Sequence, residues 1–145
     1  MLQKRIDENT IPYGSAIAGA DLVKGTLVQI TYVDGVETAN KPASVAAGVV
    51  RGFAFLTIRD DEGTYKTNDT IKAGTRMVVQ TLAKDDVWAT TEFVATSLVV
   101  GGKATYNTDG KICAIATSEP ALFEVEEIET AANYYTDKLI TVRVL

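Results

Sequence analysis

Residues Val99 to Ile115 read Val-Val-Gly-Gly-Lys-Ala-Thr-Tyr-Asn-Thr-Asp-Gly-Lys-Ile-Cys-Ala-Ile, a strand, a tight turn and a second strand. Asp109-Gly110 is the turn signal. A two-residue type I′ turn needs positive φ at both central positions, which Gly adopts freely and Asp tolerates. The flanking β-branched and aromatic residues suit a pleated, half-buried surface. Gly101-Gly102 interrupts the preceding apolar run and lets the chain bend. Asp34-Gly35 repeats the signal between Thr26–Val33 and Val36–Ala39. A chain punctuated in this way is predicted to be all-β.

The rest of the chain carries the same pattern. Thr26–Val33 alternates, with Val28, Ile30 and Tyr32 on one face and Gln29 and Thr31 on the other. The run from Gly48 to Ile58 is apolar on both faces for part of its length, as a strand covered on both sides requires. Thr75–Ala83 and Val87–Phe93 are further strands. Ala121–Glu129 is ambiguous: Leu122, Val125 and Ile128 fit a helical stripe, while Phe123 and Val125 fit an alternating strand; strand is the assignment adopted. Leu139–Val144 closes the chain, with Ile140, Val142 and Val144 on its inner face. Eight to ten short strands with turn signals every 8–12 residues or so describe a sandwich or barrel.

Two stretches read differently. Residues 1–19 combine polar Gln3-Lys4-Arg5 and Asp7-Glu8-Asn9-Thr10 with isolated Leu2, Ile6, Ile11 and Tyr13, and Pro12 and Gly14 discourage regular structure. They form either a frayed terminus or an arm that orders against a neighbour. In the second reading Leu2, Ile6, Ile11 and Tyr13 are the partner-binding residues. The domain division is therefore an extended N-terminal arm, 1–19, and one β-barrel-like domain, 20–145. Residues 59–70 are the most polar stretch and are expected to be a solvated loop or hairpin tip; their acids lack the ligand spacing of an EF-hand.

Composition narrows the function. With 46% apolar and 23% charged residues, a chain of 145 residues can bury a core without staples. The net charge of −5 argues against a general nucleic-acid binder, which needs a basic face for phosphate. No stretch is long and apolar enough for a helical membrane span, and the first residues lack the apolar core of a secretion signal, so neither a membrane nor Sec export is expected. There is no His, which removes the commonest general base and metal ligand. Cys113, the single cysteine, lacks a His base and is expected to be a small buried hydrophobe. No phosphate loop or serine triad occurs, and the acidic pairs Asp60/Asp61, Asp85/Asp86 and Glu126/Glu127 fall in turns or polar edges. The expectation is a protein without catalytic residues, metal or cofactor. Trp88 and the Tyr134-Tyr135 pair are the features a carbohydrate- or receptor-binding module would use; for Trp88 a packed position is the plainer alternative.

Four glycine-led elements then fall in a fixed order: Leu22-Val23-Lys24-Gly25-Thr26-Leu27-Val28, Ala47-Gly48-Val49-Val50-Arg51-Gly52-Phe53-Ala54, Ile71-Lys72-Ala73-Gly74-Thr75-Arg76-Met77-Val78-Val79, and Gly102-Lys103-Ala104-Thr105-Tyr106-Asn107-Thr108-Asp109-Gly110-Lys111-Ile112. With the closing strand, this order resembles the tailed-bacteriophage capsid decoration (cement) proteins over about residues 20–145. The chain departs from the simplest pattern in its polar loop at 59–70 and its longer 126–137 segment. The resemblance implies a small β-barrel or β-tulip body on the exterior of the virion capsid. It implies contact with the major capsid protein, assembly with copies of itself as a homotrimer, and no cofactor. The work would be mechanical, clamping neighbouring capsomers. A carbohydrate- or receptor-binding β-module of a phage fibre or baseplate is the alternative.

Overall fold

The computed structural model describes residues 2–6, 12–55, 70–129 and 138–145, with backbone alone for 3–6 and 12–15. Those residues are all-β and contain no helix. The strands are β1 (Leu2–Ile6), β2 (Pro12–Ala18), β3 (Leu22–Val23), β4 (Leu27–Val33), β5 (Val36–Asn40), β6 (Gly52–Phe55), β7 (Thr70–Ile71), β8 (Arg76–Thr81), β9 (Val87–Thr90), β10 (Lys103–Tyr106), β11 (Ile112–Ala114), β12 (Phe123–Glu129) and β13 (Leu139–Val144). Five of them close a barrel in the order β2-β5-β4-β6-β8, six form an open sheet in the order β1-β9-β13-β12-β10-β11, and β3 pairs with β7.

Two apolar cores follow from strand alternation. Val28 on β4, Ala54 on β6 and Met77 and Val79 on β8 point into the barrel, where Ala16, Ala18, Leu22, Ala39 and Ile71 join them. Small alanines on three of the five barrel strands suit so narrow an interior. The neighbouring positions, Leu27 on β4 and Phe53 and Phe55 on β6, point outward instead. They meet Leu2, Trp88, Ala104, Tyr106, Ile112, Phe123, Val125, Ile140, Val142 and Val144 from the sheet, which forms the second and larger core. Phe53 is its centre: its ring lies 5.5 Å from that of Trp88 and 6.3 Å from that of Phe123. The apolar run of the sequence is thus a barrel wall buried on both faces, its strand described over Gly52–Phe55. Residues 46–49 turn instead, with the Val49 N–H on the Ala46 carbonyl and Gly48 at φ +79°, and Leu56–Ile58 lie outside the described residues.

The two Asp-Gly pairs build different turns. Asp34 and Gly35 have φ +50° and +77°, and Val33 pairs with Val36, which gives the expected type I′ hairpin. At Asp109-Gly110 only the glycine has positive φ, at +77°. There the type I′ expectation is corrected. Asn107 accepts the Asp109 and Lys111 N–H groups on its side-chain oxygen, each at 3.0 Å, and its backbone carbonyl takes the Gly110 N–H at 2.9 Å. The result is a longer loop whose αL glycine restores the strand direction. The Gly110 carbonyl then accepts the Leu27 N–H at 2.8 Å, which ties the tip of the sheet hairpin to the first residue of a barrel strand.

The ambiguous segment is strand β12, and its periodicity has a cause. Its pairing with β13 shifts between Val125 and Glu127, so Glu126 is an extra, bulged residue. The bulge puts Val125 and Ile128 on the same inner face, three residues apart, which imitates a helical stripe. The irregular backbone expected at the N-terminus is corrected. Residues Leu2–Ile6 pair antiparallel with β9, and β2 pairs with both β5 and β8 in the barrel. Backbone N–H and C=O groups satisfied by neighbouring strands outweigh the local signal of Pro12 and Gly14.

Gly110 provides a test. A Cβ there would overlap the Leu27 carbonyl oxygen, whereas a Cβ on Gly35 meets nothing within 4 Å. Both substitutions incur the roughly 1–2 kcal/mol of an L-residue at positive φ. Gly110→Ala is expected to lose clearly more stability than Gly35→Ala in denaturant titration; equal losses would contradict the docking of the tip on β4.

Candidate functional site

Burial along β4 falls from complete at Leu27 and Val28 to 70% exposure at Tyr32 and 54% at Val33. The β4–β5 hairpin therefore projects from the barrel, and Val36 after the turn is 45% exposed. Tyr32 and Glu37 are cross-strand partners, and the Tyr32 hydroxyl donates to Glu37 Oε1 at 3.2 Å. Beside the hairpin runs an open groove of about 500 Å³. One wall is Ile30, Tyr32 and Glu37; the other is the turn Gly48–Arg51, with Val49 and Val50 half-buried.

The far wall is held from the sheet. Tyr106, on β10, is 1% exposed, and its hydroxyl accepts the Ala46 N–H at 3.1 Å. The same oxygen lies 2.9 Å from the Ala46 carbonyl and 3.1 Å from that of Ser44, one of which takes its proton. Gln29 Oε1 accepts the Ala43 N–H at 3.1 Å, and Lys41 lies 3.3 Å from Asp109 at the tip of the sheet hairpin. The Arg51 N–H donates to the Val28 carbonyl at 2.7 Å, and its own carbonyl accepts from Leu82 at 3.2 Å. The groove is thus preformed.

A second apolar surface lies on the turn at 95–102. Val99 and Val100 are each 63% exposed. The Gly101 N–H donates to the Val125 carbonyl at 2.7 Å and that of Gly102 to Val99 at 3.0 Å, while Leu98 packs inward on the core.

The reactive groups among the described residues do not converge. No cluster of three or more His, Cys, Asp or Glu there could hold a metal. Glu126 pairs with Arg143 on the sheet, at 2.6 and 2.7 Å, and Asp86 is fully buried. Cys113 is half-buried, not enclosed as expected; desolvation, followed by the nearby Glu119 carboxylate, pushes its thiol pKa up and its reactivity down. Asp21 is held below the usual carboxylate range by the Ala73 N–H, and then by Lys72 at 3.0 Å, which fixes the corner between β3 and β7.

The residues singled out from the sequence fall in several places. Leu2 is 7% exposed and packs in the core between sheet and barrel, so its side chain is used inside the chain. Ile6 ends β1 and Tyr13 lies on β2, described by backbone only; Ile11 lies outside the described residues, as do the 59–69 loop and Tyr134-Tyr135. Trp88 is 2% exposed and packed at a tilt against Phe53, which withdraws it as a sugar platform. The sequence reading did not single out Tyr32, Val33 and Val36 as a surface. Their signal was apolar side chains continuing up to an Asp-Gly turn that water would normally surround with polar residues.

No protein-family model and no curated protein matches the chain. Among solved structures, the head fiber gp8.5 N base of bacteriophage phi29 superposes with a TM-score of 0.60, over 94% of this chain and 95% of that one. Sequence identity is 12%, so the likeness is one of fold. The class defined is a small barrel-and-sheet body; the particular likeness is to the base of a phage head fiber.

Tyr106→Phe is expected to loosen the groove wall. It removes the hydroxyl's hydrogen bonds to the exposed Ser44 and Ala46 backbone, at a net cost of about 0.5–1.5 kcal/mol, and should speed amide exchange at Ala46. Unchanged exchange at Ala46 would contradict the clamp.

Proposed function

We propose that this chain is a structural protein of a phage virion, attached to the exterior of the head. In the finer form of this reading it is a decoration protein that contacts the major capsid protein and clamps neighbouring capsomers, working as a homotrimer without catalysis or cofactor. The observation that carries the reading is the whole-length likeness of fold to a phage head fiber base. The order of glycine-led strand motifs points independently to phage decoration proteins. The physics is compatible with a mechanical role: a body knit from two shared cores, with exposed apolar patches at Val99-Val100 and at the β4–β5 tip. Patches of this kind on a rigid frame suit docking, and many copies on a lattice multiply a modest affinity.

The same neighbour favours a second reading, in which the body is the anchor of a fibre and bears no load between capsomers. Its binding-module version loses Trp88 to the core.

Co-sedimentation with empty shells of the phage that encodes the chain tests both. Saturable binding at a fixed number of copies, together with a raised temperature of shell disassembly, is expected for a clamp. Binding without stabilisation overturns the clamp and leaves the anchor. Absence of binding to shells overturns both.

A further inference from the structure

Strand β4 outruns its second partner. β6 pairs with it only at Leu27 and Val28, and the chain before Gly52 turns at residues 46–49 instead of continuing the ladder. Continued antiparallel pairing would set Val50 opposite Ile30; Val50 stands instead on the far wall of the groove. The backbone of β4 shows what this leaves open. Val33 and Val36 flank a two-residue turn, so they form a hydrogen-bonded pair, and bonded pairs alternate from there. Thr31–Thr38 and Gln29–Asn40 are then bonded pairs, and Ile30 directs its N–H and C=O away from β5. Two contacts fix this phase. Ala39, opposite Ile30, accepts the Gly19 N–H on its carbonyl at 2.8 Å, outside the hairpin. The Val28 carbonyl, one alternation earlier on β4, accepts the Arg51 N–H at 2.7 Å on the groove side. Among the described residues nothing pairs with the Ile30 N–H or C=O.

A donor and an acceptor held together on the open edge of a strand are the complement of one residue of another strand. The edge borders an open groove of about 500 Å³, so there is room for one. Charge does not choose the guest, because Tyr32 bonds Glu37 and Arg51 is engaged within the chain. The groove's surface is more polar than apolar, which suits a peptide backbone better than an apolar plug. We propose that the groove takes an extended segment of another polypeptide, added as a strand to the edge of β4 that β6 leaves open and bonded to both backbone groups of Ile30. Main-chain bonds supply the affinity, and side chains at alternate positions of the segment lie beside Ile30 and Tyr32. The source of the segment rests on the virion reading above: it belongs to the major capsid protein of the shell.

Residue-resolved hydrogen exchange of the full chain, alone and bound to empty shells of the phage that encodes it, tests the proposal. In the unbound chain the Ile30 amide is expected to exchange fast and the Thr31 amide slowly, since Thr31 is bonded to Thr38. On shells the fast exchange at Ile30 is expected to be lost. Ile30→Pro removes the outward N–H and no bond to β5. It is expected to weaken shell binding about tenfold, as loss of one backbone hydrogen bond allows. Ile30→Ala truncates the side chain but keeps the N–H, and is expected to weaken binding clearly less. Circular dichroism checks that both variants keep their strands, and the exchange measurement on the wild-type chain depends on neither. Saturable shell binding with Ile30 still exchanging fast overturns the proposal and leaves the virion reading standing. Equal losses from folded Ile30→Ala and Ile30→Pro, or no loss from Ile30→Pro, do the same. Absence of shell binding overturns both. Protection of Ile30 in the concentrated chain without shells also overturns the proposal and assigns the edge to a second copy.

Discussion

Strand β6 is where the architecture is decided. Gly52, Phe53, Ala54 and Phe55 are all buried, and they serve two cores at once. Ala54 belongs to the barrel interior, while Phe53 and Phe55 belong to the core under the sheet. A strand in this position must be apolar on both faces, and its neighbours must bring the sheet close enough to cover the phenylalanines. The Leu27–Gly110 hydrogen bond and the burial of Trp88 against Phe53 meet that demand. Full burial of a Phe side chain contributes about 1.5–3 kcal/mol relative to exposure. Displacing the sheet from the barrel would forfeit that contribution at several large side chains together.

What the sequence disclosed and what it concealed divide along physical lines. Local chemistry was legible. Asp34-Gly35 gave its hairpin, the two-sided apolar run gave the doubly buried strand, and alternation in Leu139–Val144 gave the closing strand. Features set by distant partners were not. The strand character of residues 2–6 and 12–18 comes from pairing with β9, β5 and β8, none of them adjacent in the chain except through long connections. The parallel β2–β5 pair that closes the barrel leaves no local signature. Asp109-Gly110 failed as a type I′ signal because the Asn107 side chain competes for the turn's N–H groups. The bulge at Glu126 disguised a strand as a helix.

The candidate site was the least legible part. Tyr32 was read correctly as lying on the strand with Val28 and Ile30, but alternation alone cannot show that a strand leaves the body partway along. That depends on where β6 begins, since β6 pairs with β4 only at Leu27 and Val28, and Val28 meets Gly52, the first residue of β6. Beyond Val28, β4 has β5 on one side and open groove on the other. Tyr106, which holds the groove's far wall across 60 residues of sequence, gave no hint of that role beyond its place in the hairpin motif. A rigid frame with an exposed hairpin beside an open groove is a shape suited to docking.

The account therefore rests on sheet and barrel behaving as one unit through their shared core. Trp88, the single tryptophan, sits at that junction against Phe53 and reports on it directly. Unfolding followed by Trp88 fluorescence and by far-ultraviolet circular dichroism is the most direct measurement. The account predicts one coincident transition in both signals. Loss of the buried Trp88 signal at a lower denaturant concentration, with the strands still intact, would contradict it.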